Sequence, residues 1–98
     1  MSRPRKTRKI CLDLKAVHFD PRGITPGTQA EVELEVDELE AVRLADMQGL
    51  YQEDAARQMK ISRQTFGNII VRAHAKIAEA LVKGRPLRIN CPRLSGKE

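Results

Sequence analysis

The 98-residue chain has no tryptophan, one tyrosine and two phenylalanines. Chains of this length bury a limited core, so a partner subunit or nucleic acid is expected to cover part of the surface. No apolar run is long enough to span a membrane. The basic N-terminus has no apolar stretch or cleavage signal behind it, which argues against secretion and leaves the cytoplasm as the expected location. The only cysteines, Cys11 and Cys91, stand eighty positions apart, and neither belongs to a C-x-x-C pair. Reduced thiols are the cytosolic expectation. With His18 and His74 they make a set of metal-ligand residue types, but without paired spacing neither a metal nor any other cofactor is expected. His74 reads as a helix-flank residue and His18 as a loop residue without a companion. Carboxylate neighbours such as Glu38 and Glu40 have no base, nucleophile or phosphate-binding loop beside them. They read as strand surface and helix N-terminus, and the chain is not expected to be an enzyme.

Charge is present in quantity and is segregated. Residues 1–30 hold seven Lys/Arg against two Asp/Glu, residues 31–59 two against nine, and residues 60–98 nine against two. This pattern points to a basic face or arm for a polyanion, with an acidic side turned away. Arg3, Arg5, Lys6, Arg8 and Lys9 crowd the first nine residues. Pro4, Pro21, Pro26, Gly23 and Gly27 exclude a long helix in that region, so residues 1–30 read as a basic arm and loop. "KICL" within it reads as a short strand.

"EVELEV", residues 31–36, alternates strictly, as a half-buried strand with an acidic outer face does. "PLRIN" alternates again near the C-terminus. The two strands are matched for pairing, within one chain or between two, with Arg88 set against a glutamate across the ladder. Residues 92–98 read as a frayed tail. Between the strands the period turns helical. Asp37 is the expected N-cap of a first helix, with Glu40 completing a capping box; Leu39, Val42 and Ala45 form its apolar face, and Gly49 stops it. A second helix is expected over Gln52 to Met59, with Glu53 and Asp54 in its first turn. Its Ala55 and Ala56 are small enough for close helix approach. After a Lys60-Ile61 break, Ser62 caps a third helix that Gly84 and Pro86 end. Phe66, Ile69, Ile70, Ala73, Ile77 and Leu81 recur on one stripe of it and are expected in the core. Tyr51 and Phe66 are assigned to the core and the helix starts rather than to base stacking.

A short helix, a tight turn and a longer helix with a polar outer N-terminal face form a helix-turn-helix pattern. In such units the second helix enters the major groove and its first turns touch base edges. Gln64 and Asn68 carry carboxamides suited to the bidentate adenine contact. Arg63 suits guanine or a phosphate, and Val71 a thymine methyl. Gly67 and Ala75 keep the helix slim. The plain alternative is a helical hairpin whose polar face meets only water.

The stretch "VDELEAVRLADMQGLYQEDAARQMKISRQTFGNIIVRAHAKIAEALVKG" resembles the helix-turn-helix of region 4 of bacterial sigma factors. The chain is more closely similar to a small, uncharacterised prokaryotic family of predicted DNA-binding proteins. The shared pattern spans an N-terminal "RPRK.R.I", the Phe19, Pro21, Gly23 segment, the "DELEA" to "SRQTF" core and a closing "ALV.G..L.I". The resemblance implies a sigma-region-4-like, winged-helix-like fold and DNA binding. One position departs from it: the turn where such proteins usually carry glycine holds Lys60.

The expectation is an α+β domain, residues 31–91, with a three-helix helix-turn-helix core edged by short strands from both ends. Its expected function is sequence-specific double-stranded DNA binding as a transcriptional regulator. Arg63, Gln64, Thr65, Asn68 and Arg72 would carry recognition, and Arg3, Arg5, Lys6, Arg8 and Lys9 would add phosphate or minor-groove contacts. The strands leave a homodimer interface open. The competing readings are a protein-interaction adaptor, for example to RNA polymerase, and an RNA-binding module.

Overall fold

The computed structural model describes residues 17–22 and 30–90. The basic arm, the "KICL" segment, Cys11, Cys91 and the C-terminal tail lie outside the described residues. Within them the order is β1 (His18–Phe19), β2 (Val32–Glu35), α1 (Val36–Val42), α2 (Gln52–Met59), α3 (Arg63–Lys83) and β3 (Leu87–Asn90). The α+β class is as expected.

Alternation in "EVELEV" yields a strand with Val32 and Leu34 buried and the glutamates outward. It ends one residue sooner than the pattern predicts, because Val36 already begins α1. The N-cap is Glu35, not Asp37: Glu38 Oε1 accepts the Glu35 backbone N–H at 2.9 Å. Asp37 falls inside the first turn, where its charge still suits the helix dipole. After Val42 the helix widens into a π-helical segment, Arg43–Met47, with the Gln48 N–H donating to the Arg43 carbonyl at 2.8 Å. Gly49, at φ +73°, then turns the chain as expected.

The apolar stripe of α3 packs as predicted except at its end, whereas the expected face of the first helix, Leu39, Val42 and Ala45, is only partly buried and Ala41 and Leu44 go deeper. Phe66, Ile69, Ile70 and Ala73 are buried and Ile77 packs beside them. Leu81, however, is 77% exposed, and Ala80 takes the inward position. Tyr51 is not in the core: it is 81% exposed and stands at the N-cap of α2.

The core has two parts. One joins the helices through Ala41, Leu44, Ala55, Ala56, Met59, Phe66, Ile69 and Ile70. The other joins the sheet to α3 through Leu34, Ala73 and Ile89. The expected pairing of the two strands occurs within one chain and is parallel, Val32 opposite Leu87 and Leu34 opposite Ile89. Strand β3 lies centrally, with β1 antiparallel on its other side. Arg88 meets Glu31 at 3.0 Å and Glu33 at 3.2 Å across the ladder. These half-exposed pairs hold register more than they add stability. His18 is a β1 residue with a companion, since its Nε2 lies 3.0 Å from Glu31.

Helix α2 ends in a Schellman motif: the Ile61 N–H donates to the Ala56 carbonyl and the Lys60 N–H to the Arg57 carbonyl, both at 3.1 Å. Helix α3 ends on Gly84 at φ +66°, where the Arg85 N–H donates to Ala80. The left-handed position of the first motif is filled by Lys60, at φ 60° and ψ 44°. A residue with a Cβ costs roughly 1 kcal/mol there. Lys60→Gly is therefore expected to raise the unfolding free energy by up to about 1 kcal/mol, reduced by the larger unfolded-state entropy of glycine. Urea denaturation followed by circular dichroism measures this, and a clear loss of stability would contradict the strain argument.

Candidate nucleic-acid interface

The candidate surface is built from α2, the turn at 60–62 and the first half of α3. Ala55 and Ala56 are fully buried against α3, so the two helices approach closely. Ile61 leaves the turn inward and packs on the same cluster. Ser62 then caps α3, its Oγ accepting the Thr65 backbone N–H at 3.0 Å. Burial of Phe66, Ile69 and Ile70 sets the rotation of α3 about its own axis. At 3.6 residues per turn, the opposite sector is Gln64, Asn68, Val71 and Ala75, and all four are exposed.

Arg63, Gln64 and Asn68 are thus brought together on one open sector, and none has a side-chain partner among the described residues. The first turn of α3 holds no acid. Its unsatisfied N–H groups and the Arg63 guanidinium give that end a positive potential, favourable for anions. Thr65 sits differently: its Oγ1 accepts from the Ser62 hydroxyl at 2.9 Å, so the side chain belongs to the cap. Gly67 is half-buried, and a Cβ there would stand 3.5 Å from Gln52 Oε1. That is an ordinary contact distance, so the α2–α3 packing itself would admit a Cβ at this position.

Arg72 lies at the edge of the sector and is already engaged. Its Nε is 3.2 Å from Glu38 Oε2, while Lys76 Nζ is 2.8 Å from Glu38 Oε1. Sequence reasoning missed this cluster. It treated Glu38 and Glu40 as surface carboxylates, yet both are about 1% exposed. Burial drives the Glu38 carboxyl upward, but Lys76, the Glu35 N–H and Arg72 outweigh it and hold the pKa below the usual carboxylate range. Glu40 is matched by Arg43, with Nε at 2.7 Å and Nη2 at 3.0 Å. On the other flank of α3, His74 Nε2 lies 2.7 Å from Asp46 Oδ2, so His74 ties α3 to the π-helical segment. No group of three or more metal-ligating side chains is gathered among the described residues. No described helix is long and apolar enough to cross a membrane.

A family model described as "Protein of unknown function DUF134" matches residues 1–95. A UPF0251 protein of Vibrio vulnificus is 51% identical over 89 residues, covering 91% of this chain and 89% of the relative. A UPF0251 protein of Desulfosudis oleivorans is 48% identical over 89 residues, 91% of this chain and 64% of the relative. Another, of Chlorobaculum tepidum, is 48% identical over the same length, which is 45% of that protein. The chain thus spans about half the length of several curated relatives it matches. No solved structure matches it significantly.

Proposed function

The chain belongs to the family of unknown function DUF134, and from that premise we propose that it binds double-stranded DNA sequence-specifically, as a transcriptional regulator. In this reading α2 and α3 are a helix-turn-helix resembling sigma factor region 4, with α3 in the major groove. The observation that carries it is the open sector of Arg63, Gln64 and Asn68. These are three hydrogen-bonding side chains with no internal partner, at the electropositive start of a helix whose opposite face is core. On a reading helix the carboxamides of Gln64 and Asn68 match the adenine edge. Arg63 takes guanine or a phosphate, and Thr65 sets the helix start. The cations Arg3, Arg5, Lys6, Arg8 and Lys9 add sequence-independent attraction to phosphates.

Gln64 and Asn68 are solvent-exposed, so truncating them opens no cavity. With a duplex selected from random sequence, Gln64→Ala or Asn68→Ala is expected to cost roughly 1–3 kcal/mol, and much less on unselected duplex. Fluorescence anisotropy titrations on both duplexes measure this. Equal weakening on the two would mean that α3 does not read bases. A wild-type protein with no preference for duplex would favour the adaptor role, and a preference for single-stranded or folded RNA the RNA-binding one.

A further inference from the structure

Arg72 is placed unlike the other side chains of the reading sector. It follows Asn68 by one turn and is displaced about 40° around the helix from it, toward the flank that also carries Thr65 and Lys76. Its side chain is 53% exposed, while the carboxylate it touches is 1% exposed. That carboxylate is fully engaged: Glu38 Oε1 accepts from Lys76 and from the Glu35 N–H, and Oε2 from Arg72 Nε. Lys76, only 30% exposed, and the helix N–H already neutralise and solvate the buried charge. Only one of the five N–H donors of Arg72 is used, and the Nη donors have no partner among the described residues.

We propose that Glu38 is a positioning residue that holds Arg72 as a phosphate clamp at the edge of the reading sector, so that Arg72 grips the backbone instead of a base. The inference rests on the DNA-binding reading and refines it. Anchoring at Nε orders the long side chain before DNA arrives and leaves the outer Nη edge, the part suited to paired phosphate oxygens, facing solvent. The flank position places that edge beside a groove wall, whereas Gln64 and Asn68 point to its floor. Glu38 itself touches no DNA; it acts through Arg72.

The test uses the full chain, a selected duplex, an unselected duplex and a series of salt concentrations. Wild-type protein that binds neither duplex overturns the DNA reading and this proposal with it. Given binding, Arg72→Ala is expected to weaken both duplexes alike and to lower the slope of log K against log salt by about 0.9, the value for one lost phosphate contact. An unchanged slope, the result for a purely structural Arg72, overturns the proposal alone. So does weakening confined to the selected duplex. Glu38→Gln keeps the shape of the side chain but raises the net charge by one, which by itself strengthens binding to any duplex. A double-mutant cycle with Arg72→Ala cancels that common effect. The loss of affinity from Glu38→Gln is expected to be at least about threefold greater with Arg72 present than without it; strict additivity overturns the positioning role. If Glu38→Gln does not fold, the salt slope of Arg72→Ala still decides the phosphate contact.

Discussion

Phe66→Ala is expected to lower the unfolding free energy by about 3–5 kcal/mol. Phe66 is fully buried in the first turns of α3 and touches a cluster in which Ala41, Ala55 and Ala56 are already small. Alanines have no side chain to swing into the space, so the cavity stays largely open and the cost lies toward the upper end. A domain of this size has roughly 5–15 kcal/mol in total, so a large share of its stability depends on one ring. The same ring lies between Gln64 and Asn68 in the chain and locks the rotation that turns them outward. Guanidinium denaturation by circular dichroism is the measurement. A loss under about 1 kcal/mol would mean that Phe66 does not fill the centre of the helical core.

Leu34→Ala should have the next largest effect, about 2–5 kcal/mol. Leu34 is fully buried in the second cluster, where it meets Ala73 and Ile89. Its removal loosens the sheet from α3 without touching α2, the turn at 60–62 or the first turn of α3. Thermal denaturation measures this, and a loss under about 1 kcal/mol would mean that Leu34 does not fill the space between the sheet and α3.

Much of the helical part was legible because its signals are local. The bounds of α2 and α3 follow from the cap at Ser62, from Gly84 and from Pro86, all adjacent to the ends they set. The left-handed turn at Lys60, by contrast, was expected only through the resemblance to proteins that carry glycine there. Elsewhere two signals competed. Alternation ran on through Val36 and hid the start of α1, which depends on Glu38 reaching back to the Glu35 N–H. At the end of α3, Ala80 lies about 35° from the centre of the Phe66, Ile69, Ile70, Ala73 and Ile77 stripe and Leu81 about 65°, so the inward turn falls to Ala80. No period announces the π-helical segment, in which Leu44 is the buried residue. Nor does any local pattern disclose that Glu38 is buried, since Arg72 and Lys76 stand 34 and 38 residues away. The candidate site was accordingly half legible: Arg63, Gln64 and Asn68 from helical spacing, but not the carboxylate behind Arg72.

The order of strands bears on how the chain is made. Strands β1 and β2 are not neighbours; each pairs with β3, which lies between them and is the last element of the described residues. On the ribosome both early strands therefore emerge with their ladder partner still unsynthesised. Helices α1 to α3 close through contacts nearer in sequence, and short loops cost less entropy to close than long ones. The helical core can thus assemble first, holding Leu34 and Val32 beside α3 as half of a template. Arrival of residues 87–90 then fills the centre of the sheet and seals two edges at once.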